Sequence, residues 1–201
     1  MAKTQSQTFS RFYPYLLVIG GIIGLLAATM LTLDKIHLLE NPGASLDCDV
    51  SPIVACGPVI NTKQASAFGF PNPFLGIAGF AVVITVGMAM LAGARFKKWF
   101  WMGLLAGATF GMLFVHWLIY QSLYKIGALC PYCMVVWTVT IPIFWYTKLE
   151  VIKQGFIKAP PKLAKMKEFI LRHHLDILAV WYLVIIALIL KRFWYYWSTL
   201  V

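Results

Sequence analysis

The residues in this chain with the clearest chemistry are its four cysteines, which fall into two pairs. Cys130 and Cys133 form "CPYC", a spacing at which a disulfide closes across one helical turn and is commonly redox-active. Pro131 suits the first position of a helix. Cys130 then takes the N-cap, where free amide N–H groups and the positive end of the helix dipole favour a thiolate. Cys133 lies one turn deeper on the same face, and Trp137 follows four residues on. The plainer alternative is a structural staple, or two inert buried thiols. Cys48 and Cys56 have seven residues between them in "CDVSPIVAC", with Pro52 turning the chain. So short a ring costs little to close and adds little stability as a staple. Alone, this pair fits a loop staple as well as a redox centre. Two pairs in different settings suggest a relay, with an exposed disulfide meeting a soluble protein and a helix-end disulfide meeting something in the lipid.

The elements that must hold these pairs are transmembrane helices. The chain is 61% hydrophobic and only 12% charged, with a mean hydropathy of +0.78. A soluble domain carries about twice that charged fraction. About 20 apolar residues span a bilayer as a helix, and five windows qualify, at about 13–33, 74–94, 99–120, 131–146 and 175–190. No window alternates as a barrel strand does. The first window is too long, and lacks a following small-x-small site, for a cleaved signal peptide, so an uncleaved anchor is expected. The 34–73 segment becomes a long loop, and 147–174 a basic one.

Basic residues set the expected orientation. Lys3, Arg11, the "RFKKW" link and the run from Lys148 to Arg172 fall on one side. Most of the acidic residues, including Asp34, Glu40, Asp47 and Asp49, fall on the other. The N-terminus is therefore expected in the cytoplasm. The C-terminus, the 34–73 cap loop and all four cysteines are expected outside, where disulfides persist. The net charge of +10 is then a topology signal. Nucleic-acid binding is not expected, since the charges are parcelled by loop and no motif supports it. The oxidising location and the wide first pair also argue against a zinc site.

Three motifs in order carry a family resemblance: "CD-x-SP-x-V-x-C-G" at 48–57, "FGFPNPFLG" at 68–76, and the C-x-x-C at 130–133 opening a later helix. With its five helices the chain resembles bacterial members of the vitamin K epoxide reductase family over roughly residues 13–190. The resemblance implies a four-helix bundle around a quinone plus a fifth helix, in the cell inner membrane. It implies a thiol oxidoreductase that re-oxidises a thioredoxin-like partner and so drives disulfide formation in exported proteins. By that resemblance Cys48 exchanges with the partner, Cys56 attacks Cys130, and Cys133 delivers electrons to menaquinone or ubiquinone. Asn72 stands where the family has a quinone-bonded asparagine, followed by Phe74 in the same motif. Trp137 stands where some members have a tyrosine. Many bacterial members carry a thioredoxin-like domain after helix five; with 201 residues, this chain is expected to use a separate partner.

Other residues bear on the mechanism. His116 near the outer end of the third helix is a candidate quinone or proton-relay contact, or a buried histidine bonded to a backbone carbonyl. The 34–73 loop is expected to move so that Cys56 reaches Cys130, with "VINTKQASAFGF" as a short surface helix. The "GLLAGATFG" run reads as close helix packing through small residues. The lysines at 158–167 read as a loop facing anionic lipid. Tyr120, Tyr124 and Trp194 to Trp197 read as interface aromatics. A four-helix family with the same chemistry is a close competitor, but it carries the two pairs in the opposite order. A transporter with structural disulfides would more often show broken helices and charges at mid-depth, and apart from His116 the predicted spans show none. A non-enzymatic assembly factor would survive loss of the cysteines.

Overall fold

The computed structural model of the chain describes residues 2–156 and 164–198. Lys158, Lys162 and the side chain of Lys3 lie outside what is described. The α-helices run α1 Ala2–Glu40, α2 Gly57–Ile60, α3 Pro73–Leu91, α4 Lys98–Tyr120, α5 Pro131–Lys153, α6 Ala164–Arg172, α7 His174–Arg192 and α8 Trp194–Trp197. No strand occurs among the described residues; one isolated parallel bridge joins Val54 to Leu129. Five helices are long and apolar enough to cross a membrane: α1, α3, α4 with the π-helical turn Gln121–Ile126, α5 and α7. This is an all-α integral membrane fold, because only self-bonded backbone is tolerated in lipid.

The helix starts lie within a residue or two of the expected ones, except at α1, which begins well before residue 13; three helix ends differ, α3 stopping at Leu91 rather than 94 and α1 and α5 running on. α1 continues through "DKIHLLE" to Glu40 instead of stopping at 33. Its 30 residues from Arg11 measure about 45 Å, well beyond the ~30 Å hydrocarbon layer. The last turns therefore form a pillar for the cap loop, with Leu38 buried beneath it. α5 runs to Lys153 because Leu149 and Val151 continue its buried face past the polar Thr147 and Lys148. This extension draws Glu150 into the bundle near the end of α5, where it is 5% exposed. Gln154 Nε2 donates to Glu150 Oε1 at 3.0 Å. At 164–172, inside the expected basic loop, lies the amphipathic α6, with Met166 and Phe169 exposed.

α1 packs against α3 and α5, and α4 packs against α5, whereas α3 and α4 scarcely touch. α7 leans on the outside of this four-helix bundle. Pro142 inside α5 cannot donate to the carbonyl of Thr138, and the Tyr182 hydroxyl of α7 donates to it instead, at 2.6 Å. Trp145 Nε1 donates to the carbonyl of His174 at 3.0 Å, fixing the start of α7. Of the aromatics after α7, Trp194 and Tyr195 are exposed, as an interface belt requires, but Tyr196 and Trp197 pack against the core.

Close packing through small residues occurs in a different place from the expected one. A Cβ on Gly24 would enter the ring of Phe80, and one on Gly87 would stand 2.9 Å from Leu17 and 3.0 Å from the carbonyl oxygen of Pro14. These glycines let α1 and α3 approach. Gly103 and Gly107 of the "GLLAGATFG" run have nothing within 4 Å of a Cβ, and they face a cavity. Gly87→Leu should therefore cost about 1–3 kcal/mol by overpacking against backbone. A fall in the thermal midpoint of the detergent-solubilised protein reads this out, and Gly103→Ala should leave that midpoint in place.

Candidate redox site

The cap segment is pinned to the start of α5 by two backbone hydrogen bonds. Ala55 N–H donates to the Leu129 carbonyl at 2.9 Å, and Leu129 N–H donates to the Ile53 carbonyl at 2.8 Å. Gly127, with φ +75, ends the π-helical turn and directs the chain into this bridge. Arg192 Nε holds the turn from α7 by donating to the Leu123 carbonyl at 2.7 Å.

The bridge places the two cysteine pairs in contact. Cys48 and Cys56 form a disulfide, while Cys130 and Cys133 are free thiols. The sulfurs of Cys56 and Cys130 are 3.4 Å apart. The expected loop movement is therefore not needed for this approach, because the loop is already docked. Its helical content is slight: α2 and a 3-10 turn at Lys63–Ser66 replace the single surface helix expected over 59–70. The first pair is not exposed as expected, since Cys48 is 6% exposed and Cys56 fully buried, packed with Leu31, Leu38, Leu46 and Ile60. The Asp49 carboxylate ties this turn together, accepting from Gly57 N–H at 3.0 Å and Leu46 N–H at 3.2 Å.

Cys130 occupies the N-cap of α5, and its sulfur accepts from the Cys133 backbone N–H at 3.4 Å. Its pKa lies below the ordinary thiol value. The Cys133 thiol donating to its sulfur is the main cause, helped by the N–H groups of Cys133 and Tyr132 and opposed by burial and the Asp34 carboxylate. A lowered pKa makes Cys130 a better leaving group in disulfide exchange.

Beyond Cys133 a cavity of about 700 Å³ fills the space between the diverging α3 and α4. Phe80, Phe110, Phe114 and Val136 give it an apolar wall, and Cys133, Asn72 and Trp137 reach it as well. Trp137 is buried, and its Nε1–H has no hydrogen-bond partner among the described residues. Such an orphaned donor in an apolar cavity matches a ligand carbonyl. Asn72 is held by backbone: its Oδ1 accepts from Ala67 N–H at 2.9 Å and its Nδ2 donates to the Gln64 carbonyl at 2.7 Å. One lone pair and one N–H remain for a ligand.

Two candidates lie apart from this group. Phe74 is 47% exposed at the start of α3 and does not line the cavity. His116 turns toward α7, where Trp181 Nε1 donates to its Nε2 at 3.0 Å. An indole N–H only donates, so Nδ1 carries the proton and donates to the Met112 carbonyl at 2.9 Å. Sequence reasoning passed over Asp34 as a site residue. Its Oδ2 lies 3.5 Å from Cys48 Sγ, a proximity that depends on α1 extending beyond its apolar window. Asp34, Cys48 and Cys56 cluster tightly, but the disulfide removes both thiolates a metal would require.

A family model described as the vitamin K epoxide reductase family matches residues 15–148. The chain belongs to the vitamin K epoxide reductase family. No curated protein matches it closely enough to count as a relative. Family membership marks it as a membrane thiol–disulfide oxidoreductase, and the matched region contains the bundle, both cysteine pairs and the cavity.

The sulfur geometry gives a direct test. In Cys48→Ala, the freed Cys56 should form a disulfide with Cys130 under mild oxidation, at near-complete yield, as seen by non-reducing peptide mapping. Breaking the backbone bridge with Ala55→Pro should lower that yield several-fold.

Proposed function

We propose that the protein is a quinone-dependent thiol oxidase that drives disulfide formation in exported proteins. The observation that carries this reading is the 3.4 Å approach of Cys56 to Cys130 beside a cavity that reaches Cys133. The orientation is that of the charge pattern: N-terminus in the cytoplasm, and cysteines and C-terminus on the outer side of the cell inner membrane. The reductant is a separate extracytoplasmic thioredoxin-like protein.

In this reading a partner thiolate attacks Cys48, the Cys48–Cys56 bond breaks, and Cys56 leaves with the electron pair. Cys56 then attacks Cys130 of an oxidised inner pair, forming Cys56–Cys130 and releasing Cys133. When the partner's second thiol resolves the mixed disulfide, Cys48 is freed and attacks Cys56. The loop disulfide is restored, and Cys130 departs as the stabilised thiolate. The arrangement seen, with the loop pair oxidised and the inner pair reduced, is the one reached after that step. A menaquinone or ubiquinone in the cavity would supply the two-electron, two-proton acceptor for the Cys130/Cys133 dithiol. Trp137 and Asn72 would bind its polar head, and the phenylalanines its apolar body.

The motion required differs from the one expected. Cys56 needs none to reach Cys130, but Cys48 must be uncovered for a protein partner. The segment 41–47, which leads into Cys48 and buries Leu46 in the same cluster as Leu38 and Cys48, is the part that has to open.

Purified protein, a soluble quinone and a reduced thioredoxin-like protein make the assay. Cys133→Ala should abolish quinone reduction, and activity persisting at the wild-type rate would exclude the relay. Trp137→Phe removes one neutral donor worth about 1 kcal/mol and should raise the KM for quinone about fivefold while leaving the partner's KM unchanged.

A further inference from the structure

Disulfide exchange moves protons as well as electrons, and the cysteine relay alone leaves the protons of Cys48 without a carrier. The structure places one carboxylate against that sulfur. Asp34 Oδ2 stands 3.5 Å from Cys48 Sγ, within the range of an S–H···O hydrogen bond once Cys48 is a thiol. The ligand atoms of Asp34, Cys48 and Cys56 all lie within 4.8 Å of one another. Asp34 is partly buried, and among the described residues no lysine or arginine forms an ion pair with it. Its neighbour Lys35 turns away to donate to the Ile60 carbonyl at 3.2 Å. The titratable groups that face it are His37 on its own helix, Asp47 and Asp49 on the loop, and Cys130 at the start of α5. A carboxyl group with no fixed cation beside a reacting sulfur can hold a proton or release it as that sulfur requires.

We propose that Asp34 is the proton donor and acceptor for Cys48 in both of its exchange steps, an inference that rests on the relay above. In the first, the partner's second thiolate, its proton lost to solvent, attacks the partner sulfur of the partner–Cys48 disulfide. The partner's own disulfide forms, the partner is oxidised by two electrons, and Cys48 leaves, taking the proton from Asp34. In the second, Cys48 returns that proton to Asp34 while its sulfur attacks Cys56 of the Cys56–Cys130 disulfide. The Cys48–Cys56 bond forms, and Cys130 leaves with the electron pair. Asp34 ends as it began, and no co-reactant beyond the dithiol partner and the quinone is needed.

The position explains why α1 runs past its membrane span. Asp34 begins the projecting turns, and Leu38 one turn later packs under the loop that carries Cys48. A fixed helix therefore supplies the acid–base group, while the cover over Cys48 is free to open.

The test has two readouts. The first is the pH dependence of Cys48 alkylation in the Cys56→Ala variant, followed by mass mapping of the Cys48 peptide with and without Asp34→Asn. Removing a carboxylate at this distance should lower the half-point of alkylation by about one pH unit. Asp34→Glu should keep it near that of the parent. The second is partner-dithiol oxidation with excess quinone at neutral pH, which Asp34→Asn should slow about tenfold or more, with Asp34→Glu restoring part of the rate. An unchanged alkylation profile in Asp34→Asn, or an unchanged oxidation rate, overturns the assignment. The alkylation arm involves no quinone. A protein that fails to reduce quinone yet shows the shift refutes the oxidase reading and retains the Asp34–Cys48 coupling.

Discussion

Two backbone hydrogen bonds, from Ala55 to Leu129 and from Leu129 to Ile53, hold the architecture of the redox site. They are the contact through which the cap loop meets the N-terminus of α5, and everything chemical is registered to them. Cys56 follows the bridge on one side and Cys130 follows it on the other, so one short ladder places both sulfurs. Side-chain packing alone would leave two loops to find each other. A backbone bridge fixes their separation whichever cysteines are paired, because no thiol contributes to it. The same holds for Asp49, whose carboxylate links Leu46 to Gly57 and keeps the Cys48 turn beside Cys56 when the disulfide is open.

Docking the loop this firmly moves the demand for flexibility elsewhere. With Cys56 already against Cys130, the buried sulfur of Cys48 is the one that an external protein cannot reach. On the proposed reading the relay has a fixed inner half and a gated outer half. The hinge is then the part of the cap lying before Cys48, outside both the bridge and the projecting turns of α1. This division keeps the inner dithiol away from solvent thiols while still admitting a partner able to displace Leu46.

Much of this was legible in the residues. Helix starts follow from long apolar runs and from Pro73 and Pro131 at first positions, and the N-cap place of Cys130 follows from the same proline. What the sequence hid has physical causes. The ends of α1 and α5 pass through amphipathic turns whose apolar residues are too few to register as membrane spans. They are buried by the cap loop and by the bundle, which are long-range contacts. Asp34 was invisible as a site residue for the same reason. His116 was legible in part: its bond to the Met112 carbonyl is the backbone partner that one of its two readings offered, whereas its tryptophan partner lies on another helix and leaves no mark in the local sequence. The small residues of α4 misled in the opposite sense, since a missing side chain can make room for a neighbouring helix or for a ligand.

That last ambiguity is resolved by where the helices diverge. Glycines in α1 and α3 draw those two helices together, with Phe80 filling the notch at Gly24. α4 is held to α5 instead. The bundle therefore closes on two sides of α5 and stays open on the third, between α3 and α4. Gly103 and Gly107 on that side add no bulk, so the gap survives as a cavity of about 700 Å³. Its inner wall is the α5 face that carries Cys133 and Trp137. On the proposed reading, a helix that starts at a cysteine N-cap and continues as the wall of an apolar cavity joins polar exchange chemistry at one end to lipid-soluble chemistry within. The orphaned indole N–H of Trp137 stands one turn below Cys133, where an apolar ligand with a carbonyl would meet both groups at once.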